Sequence, residues 1–127
     1  MFENLKILIV GDDSSARRIL VSRLIMVSFK KENIKDASDP FEALEILTVF
    51  KPDVIITDYY MPGMNGLKFV RKLKVNPEFS KIPIVFYTRE TSILSYARIE
   101  GITDALKLEL SPSDKEIVNT INQAITK

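Results

Sequence analysis

Brief apolar runs alternate along this chain with stretches whose apolar residues recur every three or four positions, and that alternation limits the fold more than any other feature. Leu5 to Val10 is almost wholly apolar, too short for a helix and typical of a strand buried on both faces. From Ser14 the period changes: Ala16, Ile19, Leu20, Leu24 and Val27 share a helical stripe, while Arg17, Arg18 and Arg23 take other faces. Asp13 or Ser14 supplies the side-chain oxygen that caps this helix. The pattern then repeats. Ile34–Ala37 reads as a strand, and Asp39-Pro40 opens a helix with Ala43, Leu44, Leu47 and Phe50 inward. Val54–Thr57 is a second buried strand, followed by the turn-rich DYYMPGMNG and a helix carrying Phe69, Val70 and Leu73. Ile82–Tyr87 is a strand whose start Pro83 marks. Ile93, Leu94 and Ala97 line a short helix that Gly101 ends. Asp104–Leu108 is a fifth strand, and Pro112–Thr126 a last helix with Ile117, Ile121, Ala124 and Ile125 inward.

Five strand–helix alternations imply a parallel sheet with helices on both faces. Right-handed crossovers make it an α/β, three-layer, doubly wound sandwich. At 127 residues the chain is expected to be a single domain, 1–127. The longest stretch without a clear element is 75–81.

Composition removes whole classes of chemistry. There is no cysteine and no histidine, which excludes disulfides, thiol nucleophiles, Ser-His-Asp catalysis and the usual zinc sites. Eighteen basic residues against seventeen acidic ones give a formal net charge of +1, a balance that does not argue for a nucleic-acid or membrane surface. The densest basic group, Arg71, Lys72 and Lys74, reads as a solvated helix face. No apolar run is long enough to span a bilayer, so the expected location is the cytoplasm.

In an open parallel sheet, ligands bind beyond the carboxyl ends of the strands, where strand order reverses. The first strand ends at Gly11-Asp12-Asp13, the third at Asp58, the fourth at Thr88 and the fifth near Lys107 and Leu108. Carboxylates brought to one rim repel one another and call for a cation. Oxygen ligands of this kind suit Mg²⁺, which keeps several waters and takes one or two carboxylates. Singly, Asp12 or Asp13 could merely cap a helix and Asp58 begin a turn; together they make a site.

The segment VIITDYYMPGMNGLKFVRKLK resembles the phosphoacceptor region of response-regulator receivers, the chemotaxis-regulator-like domains of two-component signalling, and the similarity extends from KILIVGDDSSARRIL to the last helix. It implies a flavodoxin-like sheet of five strands in the order 2-1-3-4-5 with five helices. It also implies that Asp58 accepts a phosphoryl group from a histidine kinase or phosphotransfer protein. Asp12, Asp58 and the main-chain carbonyl of Tyr60 would hold a weakly bound Mg²⁺, with Asp13 an alternative ligand if the turn shifts by a residue. Thr88 would be the switch hydroxyl. Signalling would pass by contact to an output protein, with no enzymatic activity of the chain's own, no direct contact with nucleic acid or membrane, and dimerisation left open.

The match departs from the family around the site. In an ungapped match the family's paired acids fall on Gly11 and Asp12, and Arg89 follows Thr88 where a small residue is usual. The family's aromatic switch position falls on Ala105 and its phosphate-binding lysine on Leu108. Lys107 could take the lysine's role only by a one-residue shift, yet neighbouring strand residues face opposite ways. The alternative to a phosphoacceptor is therefore a degenerate receiver that binds a partner without being phosphorylated. An aspartate-nucleophile phosphatase is disfavoured, because Tyr60 occupies the place of the acid two residues after the nucleophile. A nucleotide-binding loop is absent from the first turn.

Overall fold

The computed structural model describes residues 2–126. Its elements are β1 (Ile7–Val10), α1 (Ser14–Met26), β2 (Ile34–Ala37), α2 (Pro40–Leu47), β3 (Val54–Thr57), α3 (Gly66–Lys74), β4 (Ile84–Tyr87), α4 (Ile93–Ile99), β5 (Leu106–Leu108) and α5 (Asp114–Ile125). The five strands form one parallel sheet in the order β2-β1-β3-β4-β5, as expected.

Alternation along the strands builds two cores. Leu8, Val10, Ile55, Ile84 and Phe86 face a cluster completed by α2, α3 and α4, through residues such as Leu47, Phe69, Leu73 and Ile93. Ile7, Ile9, Val54, Ile56 and Val85 face the opposite cluster, completed by Leu20 and Leu24 of α1 and Ile117 and Ile121 of α5. This double burial is why β1, β3 and β4 read as continuous apolar runs. Each fully buried side chain of this size contributes roughly 1.5–3 kcal/mol.

The helix boundaries follow from local chemistry. Asp13 Oδ1 accepts from the Ser15 and Ala16 amides and starts α1, so of the two candidate caps Asp13 is the one used. Asp39 caps α2 with Pro40 in its first turn, and Asn65 caps α3. Gly101 (φ 82°) ends α4 in a left-handed conformation that lets the Ile102 amide reach the Ala97 carbonyl at 2.8 Å. The basic end of α3 is a surface, as expected: Arg71 pairs with Glu100 and Lys74 with Asp104.

Some details differ from the sequence reading. Ile19 lies on the outer side of α1, 60% exposed, whereas Arg17 and Arg23 lie partly buried at its flanks. Arg17 donates to Asp36 and to the Gly11 carbonyl, and Arg23 to the Pro112 carbonyl and Asp114. Period alone cannot separate an outer isoleucine from an inner one when arginines make contacts with neighbouring loops. The strands are shorter than their apolar runs, since Leu5, Ile82 and Ala105 pack on the cores without joining the ladder.

Candidate functional site

The sheet order places the reversal between β1 and β3, because the chain leaves β1 towards one edge and later returns to the other side of it. At the carboxyl ends of these strands opens a cleft of about 810 Å³. Asp12, Asp13, Asp58, Tyr60 and Thr88 all line it; Lys107 does not.

Asp58 is set by backbone pairing. Its amide donates to the Val10 carbonyl at 3.0 Å, which ties the end of β3 to β1. Asp58 Oδ1 accepts from the Tyr59 amide at 2.6 Å and, more weakly, from the Tyr60 amide at 3.4 Å. No hydrogen bond reaches the second carboxylate oxygen among the described residues, so one oxygen is anchored and one is available. The carbonyl of Asp58 lies close above the first turn of α3. A Cβ on Gly66 would stand 2.1 Å from that oxygen, so only glycine permits this approach.

Asp12 is exposed on the cleft wall, and Asp13 is bound to the amides of α1. Gly11 is buried beside Asp58: a Cβ there would meet only Asp58 Cβ, at 3.8 Å. Among the described residues no three acidic side chains gather closely enough to form a metal cluster. Two carboxylates and a carbonyl on one solvent-open cleft nonetheless fit a hydrated Mg²⁺, which needs few protein ligands.

Thr88 is 2% exposed, and its hydroxyl accepts from the Glu90 amide at 3.2 Å. Tyr60, on the cleft wall, is bonded to Glu90. The phenol donates to Glu90 Oε1 at 2.5 Å, while Oε2 accepts from the Ser92 amide. That bond raises the phenol above its ordinary range and, with the Ser92 amide, holds the Glu90 carboxyl below its own. The guanidinium of Arg89 lies 5.5 Å from the centre of the Tyr60 ring, on the cleft wall. Tyr59, beside Asp58, contacts both Tyr60 and Tyr96 of α4.

On β5, Leu108 is 2% exposed and sits in the α1/α5 core, while Ala105, just before the strand, packs against the opposite one. Lys107 points to the side opposite Leu108 and pairs with Glu109 at 3.2 Å. The sequence reading missed Arg17, which holds the Gly11 carbonyl, and the Tyr60–Glu90 pair. Nothing in a linear pattern marks two side chains thirty residues apart as partners.

Comparison with known proteins follows the same line. Residues 7–114 match the family model of the response regulator receiver domain. Chemotaxis protein CheY-3 of Vibrio cholerae serotype O1 is 35% identical over 88 residues, which are 69% of this chain and 66% of that protein, a little under two thirds of its length. Among solved structures, the chemotaxis protein CheY4 of Vibrio cholerae superposes with a TM-score of 0.81 at 26% identity, covering 94% of this chain and 98% of that one. A response regulator of Chloroflexus aurantiacus, at 22% identity, shares the fold with a TM-score of 0.83 over 97% of this chain and 98% of its own. A family model that spans most of the chain, over a sheet and cleft of the kind it requires, leads to one conclusion: this chain belongs to the response-regulator receiver domain family.

Proposed function

We propose that residues 1–127 act as a phosphoacceptor unit in which Asp58 takes a phosphoryl group from a histidine on a kinase or phosphotransfer protein and signals by protein contact. The observation that carries this reading is the carboxylate of Asp58 itself. One oxygen is held by the Tyr59 and Tyr60 amides and the other is available, at the switch point of the sheet, with Thr88 on the same cleft. Asp12, Asp58 and the Tyr60 carbonyl would hold Mg²⁺, which supplies charge neutralisation for the transferring oxygens. Asp13 gives one carboxylate oxygen to the cap of α1 and stays an alternative ligand on the same cleft. The Asp58 carboxylate is the nucleophile, and the buried Thr88 hydroxyl, which accepts from the Glu90 amide, would follow the new phosphoryl oxygens. No membrane-spanning helix is present among the described residues, and the cytoplasm is the compartment that suits this role.

A second reading, a binding module that works without phosphorylation, is favoured by one observation: Leu108 is sealed in the core where the family places a phosphate-binding lysine. Intact mass after incubation with Mg²⁺ and acetyl phosphate separates the two. The first reading expects a phosphoryl adduct that depends on Mg²⁺ and disappears in Asp58→Asn. An unmodified mass throughout overturns the first reading and favours the second.

A further inference from the structure

We infer that Arg89 is the cation that binds the phosphoryl oxygens at Asp58, replacing the lysine that the family carries on the fifth strand. This rests on the phosphoacceptor reading above. A dianionic group entering a carboxylate-lined cleft needs positive charge from the protein as well as from a metal. Leu108 cannot supply it, being buried in the α1/α5 core. Lys107 stands on the other side of the strand, pairs with Glu109, and does not line the cleft.

Two cationic side chains line the cleft among the described residues, Arg17 and Arg89. Arg17 is committed to the Asp36 carboxylate at 2.8 Å and to the Gly11 carbonyl. Arg89 has neither an ion pair nor a hydrogen bond among the described residues, and it directly follows Thr88. Its one described contact is the face of the Tyr60 ring. The neighbouring carboxylate that could neutralise it, Glu90, is engaged by the Tyr60 phenol and the Ser92 amide. The arrangement leaves a guanidinium with all five donors unspent, resting on an aromatic shelf at the mouth of the site. A planar fork of this kind matches phosphoryl oxygens.

In the step itself, an Asp58 oxygen forms a bond to phosphorus while the bond from phosphorus to the acetate oxygen of acetyl phosphate breaks. Acetate leaves with the electron pair, and Arg89 stays charged throughout. The test measures initial rates of adduct formation by intact mass over a range of acetyl phosphate concentrations, with Mg²⁺, for the wild type, Arg89→Gln and Arg89→Lys. Thermal unfolding of each variant verifies folding, since Arg89 is exposed. The expected result is a loss of about tenfold or more in Arg89→Gln, the scale of removing one charged donor, with substantial recovery in Arg89→Lys. Raising the salt concentration should slow the wild type more than Arg89→Gln. An adduct that forms equally fast in wild type and Arg89→Gln overturns the assignment and leaves Asp58 as acceptor. A large loss in Lys107→Gln with none in Arg89→Gln returns the role to Lys107. No adduct in any form overturns both this assignment and the reading beneath it.

Discussion

The most informative single residue is Gly11, because the space around it decides what its glycine means. A Cβ at that position meets only Asp58 Cβ, at ordinary contact distance, so neither sterics nor a left-handed backbone demands glycine there. Its cost is chemical: one carboxylate fewer beside Asp12 and Asp58. Gly11→Asp should therefore fold and bind Mg²⁺ more tightly, by roughly tenfold, the scale expected when ligand charge rises by one. Titration of Mg²⁺ followed through the amide shifts of residues 10–13 and 58–60 measures it. Equal affinities in the two proteins would mean that the eleventh position does not face the metal. Gly66 is the opposite case. It was legible as the last letter of DYYMPGMNG, but why glycine is needed there came only from the Asp58 carbonyl above it.

At the scale of elements, α3 and α5 make contrasting tests. The first turn of α3 is pressed against the end of β3, and Gly66→Ala puts a methyl group 2.1 Å from a backbone oxygen that cannot swing aside. Relief requires moving the Asp58 loop, so the variant should lose about 1–3 kcal/mol in denaturant unfolding and phosphorylate poorly. A variant as stable and as reactive as the wild type would show that the loop yields without consequence. The start of α5 instead rests on a capping box. Ser113 Oγ accepts from the Glu116 amide at 3.1 Å, and Glu116 Oε1 accepts from the Ser113 amide at 3.0 Å. Ser113→Ala should cost about 1 kcal/mol at neutral pH. The Ser113 backbone bond, then its side-chain bond, holds the Glu116 carboxyl below its usual range. A carboxyl so depressed contributes stability above its unfolded pKa and loses it as pH falls through the folded value. The difference between wild type and Ser113→Ala should accordingly narrow in acid. A gap that stays constant through the carboxylate range would assign the cap to the hydroxyl alone.

Over the whole molecule the question is how a charge at Asp58 could reach a distant surface. The fifth strand and the residue before it offer Leu108, locked in the core, and Ala105, which has no rotamer to change. The remaining route runs from the Asp58 loop through the Tyr59 ring to Tyr96 on α4. α5 stands outside it, anchored by Ile117, Ile121 and Ala124 in the other cluster. Hydrogen exchange of free and phosphorylated protein should then differ across residues 11–13, 58–66 and 88–97, and scarcely across 117–125. Strong protection changes along α5 would reveal a coupling through the α1/α5 core that the static contacts do not contain.

What the sequence determined by itself was the architecture and the rim. Buried parallel strands announce themselves as apolar runs, helices by their period, and the strand ends bring Asp12, Asp58 and Thr88 together without knowledge of any side-chain position. Tertiary structure decided everything that depends on which way a side chain turns and what it finds there. Asp13 became a cap because two free amides lay within reach, and Ile19 faces outward while Arg17 and Arg23 turn to Asp36 of β2 and Asp114 of α5. Lys107 and Leu108 were sent to opposite faces by the pleat of one short strand, and Glu90 was brought to Tyr60. Periodicity is carried by the chain one residue at a time, whereas a partner thirty positions away exists only once the sheet has formed.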